Sequence, residues 1–494
     1  MPLNSRKDKV TPALMVQGTG SNVGKSLLAA AFCRIFTDDG INTAPFKAQN
    51  MSLNSFVTAN NEEVSRSIAL QAKACRKDVH VNMNPVLLKP NSDTSSQCIL
   101  LGRPYNEWSS KDFLRSKEKF WQTIKNSYNK ISSENNLIIL EGAGSPGEIN
   151  LKKNDMVNMK MAKHARAKVL LAGDIDKGGV FASFIGHIHV MEKWERNLIA
   201  GFLINKFRGD ASLLTSAIKK TKAYTSVPTL GIVPYINNLN LPEEDGMSVY
   251  QKKSSRKNKI HIAVISYPYM SNFTDFDAFY IEPDVEVFFT RKPNDLMKAD
   301  VIVLPGSKNL RADVKWLFQH NLAEIILQLA NQKKEVVGIC GGLQILGETI
   351  FDPGKVESLQ EHTKALGLMN IKTEFKTDKI LKRTTTIHKE SSFEVTGYEI
   401  HHGISKAENV SSLFKQNSSL GYKNNEKNIW GTYLHGIFDS DLFRHWWLNK
   451  KRKEKGFALS LKINKYDIEP EINKLAEVVR ENVNMKEIYA ILNI

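Results

Sequence analysis

A cysteine between a strand pattern and a helix pattern is the side chain best placed to act as a nucleophile. The apolar run 336–339 is followed by Cys340, two glycines and a helical pattern. Such a strand-to-helix turn exposes the sulfur, and the backbone N–H groups that follow can bind an oxyanion. A thiol nucleophile needs a base, and His435, His401 and His402 each follow a strand-like run. Spacing alone leaves these three histidines open as the base.

Two glycines are the candidates for the oxyanion hole. Gly341 follows the cysteine directly, and Gly306 lies just beyond the strand-like run 301–304. In α/β sheets ligands bind beyond the carboxyl ends of the strands, which is where both glycines fall. The second half of the chain therefore carries the pattern of a site for nucleophilic catalysis.

A glycine-rich turn in the first half of the chain predicts a phosphate site. The run 13–16 leads into a loop that ends in Gly-Lys-Ser and opens a helix. The glycines let backbone N–H groups approach an anion, while the helix dipole and the lysine add positive charge. The first glycine falls one residue earlier than in the usual G-x-x-x-x-G-K-[ST] motif. The residues predicted to bind the nucleotide in this loop are Gly18, Thr19, Gly20, Ser21, Asn22, Val23, Gly24, Lys25 and Ser26.

Polar residues after two further strand patterns complete this site. Glu141 ends the strand-like run 137–140, and a P-loop serine such as Ser26 can ligate magnesium through its hydroxyl. We therefore predict that Ser26 and Glu141 bind Mg²⁺. Asn205, which follows the run 199–204, is the candidate for contact with the nucleotide base.

The composition is that of a globular protein with a basic surface. The chain has 494 residues, with 68 Lys and Arg against 52 Asp and Glu, a net charge of +16. The excess is spread along the chain without a nucleic-acid-binding signature, so we expect an anionic small substrate and no nucleic acid. No apolar run approaches the length of a membrane span, and the first residues lack the core of a secretion signal. We therefore expect a cytoplasmic protein without membrane insertion.

Short continuous apolar runs, separated by helical patterns, predict two α/β domains with parallel sheets. The polar, basic segment 251–259 is the predicted linker between a domain at 1–250 and a domain at 260–456. Residues 457–494 form a separate C-terminal segment with helical spacing of apolar residues. Helices are predicted, for example, at 26–36 and 310–328. The predicted strands are 13–16, 137–140, 169–172, 199–204 and 230–233 in the first half, and 260–265, 285–289, 301–304 and 336–339 in the second.

Longer stretches of the chain resemble one enzyme family. Residues 338–344 resemble the nucleophile segment of class I glutamine amidotransferases, and the loop 18–24 resembles that of dethiobiotin-synthetase-like amidoligases. In this order the two halves resemble the adenosylcobyric acid synthase family over nearly the whole chain. The remaining stretches that carry the resemblance are 46–52, 83–90, 141–146, 174–181, 205–210, 271–277, 304–309, 397–401 and 431–436.

The resemblance implies the fold and the reaction. The fold would be a P-loop, dethiobiotin-synthetase-like parallel-sheet domain followed by a flavodoxin-like class I amidotransferase domain. The reaction would be ATP-dependent amidation of four peripheral carboxylates of a corrinoid, adenosylcobyrinic acid a,c-diamide, with ammonia from glutamine. Cys340 would be the nucleophile and His435 the base. Many class I domains place a glutamate two residues after that histidine, but Ile437 stands here, so the sequence does not name the group that orients the base.

The same stretches supply candidate contacts for the corrinoid polycarboxylate. Their positive charge or amide groups suit the carboxylates and amides of such a substrate. The predicted substrate-binding residues are Lys47, Gln49, Asn50, Lys89 and Arg208.

Three other functions compete with this interpretation. The first is cobyrinic acid a,c-diamide synthase, a related enzyme with the same two sites. The stretches 46–52 and 83–90 argue against it. The second is a P-loop partition or positioning ATPase that uses a basic surface. Those loops usually carry an additional lysine near their start, which residues 18–23 lack. The third is a non-catalytic binding module, which retention of both Cys340 and His435 disfavours.

Overall fold

The computed structural model describes residues 10–91, 95–109, 117–237, 239–242, 259–357, 361–424, 426 and 428–494. The predicted linker 251–259 lies outside the described residues except for Lys259, and the polar N-terminal residues 1–9 lie outside them as well. None of the helices within the described ranges is long and apolar enough to cross a bilayer.

The first half of the chain alternates strands and helices. Its strands are β1 (Ala13–Gly18), β2 (Thr43–Phe46), β3 (Gln49–Met51), β4 (Ser55–Val57), β5 (Glu63–Ser65), β6 (Val86–Pro90), β7 (Ser95–Leu100), β8 (Arg103–Ser109), β9 (Leu137–Glu141), β10 (Lys168–Asp174), β11 (Ile199–Phe207) and β12 (Thr229–Pro234). Its helices are α1 (Lys25–Asp38), α2 (Arg66–Ala74), α3 (Lys117–Ser133), α4 (Met159–Ala165), α5 (Val180–Val190), α6 (Lys193–Arg196) and α7 (Thr215–Thr225).

Six of these strands form one parallel sheet in the order β12–β11–β10–β1–β9–β2. Its central strands are mostly apolar and are buried along nearly their whole length, because helices cover both faces. The five strands predicted for this half are confirmed, but the sequence analysis missed β2. The proline at position 45 makes this segment look unlike a strand, because proline is tolerated in a sheet only at an edge. In the structure β2 lies at the edge of the sheet.

The second half has the same layered organisation. Its strands are β13 (Ile260–Ile265), β14 (Met270–Ser271), β15 (Val285–Thr290), β16 (Val301–Leu304), β17 (Gly306–Ser307), β18 (Glu335–Ile339), β19 (Thr349–Phe351), β20 (His362–Lys364), β21 (Ile371–Ile387), β22 (Glu394–Ala407), β23 (Ser411–Ser412), β24 (Gly421–Asn424) and β25 (Ile429–Thr432). The helices are α8 (Pro293–Lys298), α9 (Leu310–Gln319), α10 (Leu322–Asn331), α11 (Gly341–Leu346), α12 (Asp441–Glu454), α13 (Glu469–Asn482) and α14 (Met485–Leu492).

The second main sheet has seven strands in the order β15–β13–β16–β18–β25–β24–β23. Its first five strands are parallel, whereas β24 and β23 are antiparallel additions at one edge. The long antiparallel pair β21 and β22 projects from this domain and contacts β4 of the first half. That contact brings the two halves together beside the predicted nucleophile.

One predicted helix is wrong in its length. The segment 310–328 forms α9 and α10 rather than one helix, because the chain turns at Asn321, whose φ is 58°. Asparagine tolerates this left-handed conformation better than most residues, so it can reverse the chain between two helices.

The C-terminal helices do not extend the second domain. Residues Ile472, Leu475 and Val479 of α13 pack in the same apolar cluster as β1 and α1. The buried guanidinium of Arg34 on α1 also pairs with Glu469 at 2.6 Å. The last helices therefore return to the nucleotide-binding half and complete its core.

This return predicts that the C-terminal helices stabilise the first domain. Ile472→Ala should lower its free energy of unfolding by about 2–5 kcal/mol, since Ile472 is fully buried. The exposed Glu477→Ala on the same helix should change it by no more than about 0.5 kcal/mol. Chemical denaturation of the two variants would measure the difference, and equal stabilities would contradict the packing.

Candidate functional site

The predicted nucleophile, Cys340, lies on a strained turn between β18 and α11. Cys340 adopts φ 52° and ψ −106°, a conformation that non-glycine residues rarely adopt. Backbone packing holds it there: a Cβ at Gly342 would lie only 1.8 Å from Leu304 O on the neighbouring strand. The Cys340 amide also donates to Thr432 O at 2.7 Å on the other neighbour. Strain of this kind persists where the surroundings impose it, as they do at nucleophile elbows.

His435 is the one of the three candidate histidines that contacts Cys340. Its ring is fully buried, and Nδ1 lies 2.7 Å from Asp275 Oδ2. A carboxylate accepts, so Nδ1 carries the proton and Nε2 is left for the thiol. Burial opposes the charged ring, but the Asp275 carboxylate and the neighbouring Cys340 raise the pKa of His435 above its ordinary value.

The other two histidines lie in different surroundings. His401 stacks on Tyr433 and bonds to Gly403 O at 2.7 Å. His402 contacts Gln97 of the first half, and burial lowers the pKa of His402 to about 3. His401 Nε2 also lies 3.4 Å from a carboxylate oxygen, Glu399 Oε2, but the described contacts of these two histidines do not include Cys340.

Asp275 is a candidate site residue that the sequence analysis missed. It stands where the glutamate two residues after the base usually acts, but it comes from 160 positions earlier in the chain. Its second oxygen accepts from the Gly436 amide at 3.0 Å, which holds the carboxylate against the histidine. The stretch 271–277 contributes to the sequence analysis through its resemblance alone, and nothing in its mixture of polar residues and phenylalanines singles out Asp275 as the partner of the histidine.

The two predicted oxyanion glycines lie beside this pair. A Cβ at Gly306 would contact His435 Cε1 at 3.4 Å, and a Cβ at Gly341 would lie 2.7 Å from Ser307 N. The β16 and β18 loops therefore meet at the sulfur, as neighbouring parallel strands require. Their backbone N–H groups are the candidates for binding the negative oxygen of a tetrahedral intermediate.

The predicted phosphate loop connects β1 to α1. Gly24 adopts φ 97° at the start of α1, a left-handed conformation that favours glycine. Lys25 folds over the loop and donates to Gly20 O at 2.8 Å and to Gly144 O at 3.1 Å. The helix N-terminus and this ammonium group face the same concavity, which suits a chain of phosphates.

The predicted metal ligands touch each other at this loop. Ser26 Oγ donates to Glu141 Oε1 at 2.7 Å, and Lys47 Nζ donates to the same oxygen at 2.9 Å. Gln71 Nε2 donates to the second oxygen at 2.5 Å. A serine hydroxyl beside a buried carboxylate is a donor set that fits Mg²⁺ bound together with phosphate oxygens. Asn205 donates to Val23 O at 2.8 Å, so its amide nitrogen supports the loop, and its contact with the nucleotide base stays a prediction.

The predicted substrate residues do not gather in one place. Lys47 and Asn50 are buried near the phosphate loop, where Asn50 Nδ2 lies 3.4 Å from Ser67 Oγ. Gln49 is half-buried on β3. Arg208 is half-exposed, with its guanidinium over Tyr235 at 3.5 Å.

Lys89 belongs to the domain interface. It donates to Glu63 at 2.7 Å, and Lys379 from β21 of the other domain lies 2.5 Å from the second oxygen of Glu63. Burial opposes the charge of Glu63, but the two lysines hold the pKa of Glu63 well below its usual range. Burial likewise lowers the pKa of Lys379 to about 7, although Glu63 opposes that shift. The ammonium group of Lys89 therefore belongs to the ion cluster at Glu63, which joins the two domains through Lys379.

Comparison with known families agrees with these two sites. Residues 261–443 match the CobB/CobQ-like glutamine amidotransferase domain, and residues 14–249 match the CobQ/CobB/MinD/ParA nucleotide binding domain. The chain is thus a two-domain protein of the glutamine amidotransferase class with a P-loop nucleotide-binding domain.

Relatives that align with nearly the whole chain identify its family more closely. The chain is 44% identical to the cobyric acid synthase of Carboxydothermus hydrogenoformans, over 98% of this chain and 99% of that protein. It is 42% identical to the cobyric acid synthase of Nitratidesulfovibrio vulgaris, over 98% of both. It is also 47% identical to the adenosylcobalamin biosynthesis bifunctional protein CobDQ of Leptospira interrogans, over 99% of this chain but 57% of that protein. The chain belongs to the cobyric acid synthase family.

The His435–Asp275 contact predicts the effect of one substitution. Asp275→Asn should lower glutamine hydrolysis by roughly 10²–10⁴-fold, because the amide neither fixes the Nδ1 tautomer nor stabilises the charged ring. The pKa of His435 should fall as well, since Asp275 raises it. Steady-state glutaminase assays against pH, with the exposed Asp378→Asn of the same domain as control, would measure both effects. Wild-type turnover in Asp275→Asn would show that another group orients the base.

Proposed function

We propose that this chain converts adenosylcobyrinic acid a,c-diamide to adenosylcobyric acid, by amidating four carboxylates with glutamine as nitrogen donor and ATP as activator. The observation that carries the proposal is the pairing, in one chain, of an oriented Cys340–His435 dyad with a phosphate loop backed by Glu141. Relatives named cobyric acid synthase align with nearly the whole chain. An amidotransferase needs both sites, because hydrolysis of glutamine supplies ammonia and a phosphate site activates the acceptor.

Activation takes place at the phosphate loop. A carboxylate does not react with ammonia at neutral pH, so a substrate carboxylate would attack the γ-phosphate of ATP and become an acyl phosphate. Lys25 and the N-terminal amides of α1 would stabilise charge on the transferred group. Bound Mg²⁺, held by Ser26 and Glu141, would offset further phosphate charge. This carbon–nitrogen bond formation at the expense of ATP makes the proposed enzyme a ligase.

Glutamine hydrolysis takes place at the cysteine. The Cys340 proton moves to His435 Nε2, the sulfur attacks the side-chain amide, and the N–H groups of Gly306 and Gly341 bind the oxyanion. The charged histidine then gives its proton to the departing nitrogen, and ammonia leaves a thioester. His435 next activates water, which releases glutamate and restores the thiol.

The binding residues of the corrinoid follow from their positions. Lys47 and Asn50 lie beside the metal-ligand candidates, where the reacting carboxylate must arrive, and Gln49 lies on the same short strand. Arg208 presents an exposed cation at the end of β11. We propose these four as substrate contacts, while Lys89 acts through the domain interface.

A mass assay tests the proposed reaction. Each carboxylate-to-amide step lowers the corrinoid mass by about one unit, and ADP accumulates with it. Wild-type enzyme with ATP, Mg²⁺ and glutamine should complete four steps on adenosylcobyrinic acid a,c-diamide. Cys340→Ala should complete none with glutamine but four with ammonium salt, because the synthetase site is intact. Amidation of the a and c positions of cobyrinic acid instead would identify the diamide synthase, and no mass change with either nitrogen source would reject both.

The metal assignment gives a separate prediction. Ser26→Ala removes a hydroxyl ligand, so about tenfold more Mg²⁺ should be needed for half-maximal ADP formation. Ser26→Thr retains the hydroxyl, as the general P-loop pattern allows, and should behave like the wild type. Titrating Mg²⁺ at saturating ATP and ammonium would compare them. An unchanged requirement in Ser26→Ala would remove Ser26 from the metal site.

A further inference from the structure

A side-chain amide from the glutaminase domain touches the nitrogen of His435 that serves Cys340. Asn272 Nδ2 lies 3.2 Å from His435 Nε2. The amide oxygen of Asn272 accepts a hydrogen bond from the backbone N–H of Ser55 at 3.0 Å, across the domain interface. Asn272 is only 3% exposed, so it is held between the two domains.

The Ser55 N–H decides which end of the amide faces the histidine. A backbone N–H only donates, so the atom of Asn272 facing it must be the accepting oxygen. The amide –NH₂ group then faces His435, where it too can only donate. Because Nδ1 already gives its proton to Asp275, an amide bond to Nε2 requires the neutral ring.

The amide therefore competes with the thiol for Nε2. Reaction requires the Cys340 proton on Nε2, which forms a thiolate and an imidazolium. In that state an Nε2–H group would face the Asn272 –NH₂ group, donor against donor. Among the described residues, the titratable groups against the ring are Asp275, which favours its charge, and Tyr398, which stacks on it at 5.2 Å. Arg66 and Asp439 lie close enough to Tyr398 to influence it in turn. Burial holds the pKa of Tyr398 well above its usual range, so its hydroxyl stays neutral.

We propose that Asn272 is a positioning residue that opposes the charging of His435 favoured by Asp275 while Ser55 binds the amide, so that the nucleotide-binding domain restrains formation of the Cys340 thiolate. This inference rests on the proposed glutaminase roles of Cys340 and His435.

The other contacts of Ser55 show how the first domain would set this restraint. Its hydroxyl donates to Glu63 at 2.7 Å and accepts from Lys89 at 2.9 Å. Its carbonyl accepts from the Tyr398 hydroxyl at 3.3 Å. Strands β4 and β5 form a hairpin whose far strand leads directly into α2, which carries Gln71 to the metal-ligand candidate Glu141. A shift of this hairpin would therefore move the N–H group that orients Asn272.

Alkylation of Cys340 measures the thiolate without relying on turnover. The full-length protein, free of substrates, would be treated with iodoacetamide over a range of pH, and the labelled peptides quantified by mass spectrometry. Asn272→Ala should raise the rate at neutral pH roughly three- to tenfold and move the pH midpoint downward, because one hydrogen bond to the neutral ring is lost. Asn272→Asp should raise the rate further, since a carboxylate can accept from both Ser55 and the imidazolium. An unchanged or slower rate in both variants would overturn the proposal.

Control variants separate this restraint from other effects. Arg383→Met removes a different bond across the interface, to Val57 O at 2.9 Å, and should label Cys340 at the wild-type rate. If Arg383→Met also raised the rate, loosening of the interface would explain the effect and the specific role of Asn272 would be rejected. Cys98, fully buried, reports unfolding and should stay unlabelled. Adding His435→Gln to Asn272→Ala should abolish the gain in labelling rate at neutral pH, and a gain that persists without the histidine would refute the proposed base rather than the role of Asn272.

Discussion

The buried ion cluster around Glu63 is the interaction on which the relation of the two sites depends. One carboxylate accepts from Lys89 of its own domain and from Lys379 of the other, with all three side chains almost fully buried. Removing one partner would leave an uncompensated charge in a medium of low polarity, which is far more costly than losing a surface ion pair. The cluster therefore favours one mutual placement of the domains, and with it the approach of Ser55 to Asn272.

That placement has a chemical purpose. Ammonia is useful to the phosphate-loop site only while an acyl phosphate is present there, and glutamine hydrolysed at other times is wasted. Cys340 follows a strand of one main sheet and Lys25 opens a helix that follows a strand of the other, so any coordination must pass through contacts between domains. The described interface supplies such contacts at the base itself, because Asn272 bonds to His435 on one side and to the first domain on the other.

The sequence predicted local structure better than contacts between distant segments. The strand before Cys340, the glycine-rich turn before Lys25 and the parallel order of the sheets all follow from short-range patterns, in which buried strands read as continuous apolar runs. The return of α13 to α1 could not be predicted in this way, since an amphipathic helix shows that it has an apolar face and not which core receives it. Lys89 shows that charge has the same limit as a predictor of contacts. Its positive charge suggested binding to a carboxylate of the substrate, but it pairs with the Glu63 carboxylate of the protein itself.

Asp275 shows why a site is better defined by geometry than by order along the chain. Position 437 holds an isoleucine that is 1% exposed, so it packs in the core and could not present a carboxylate to the base. The chain turns at Gly436, with φ 76°, and the amide of that turn binds the Asp275 carboxylate. What the chemistry requires is an accepting oxygen at Nδ1, and the 3₁₀-helical segment after β14 meets that requirement as well as a residue after the histidine. A missing acid in the usual position is therefore a reason to examine the strand ends beside the base before concluding that the base is unsupported.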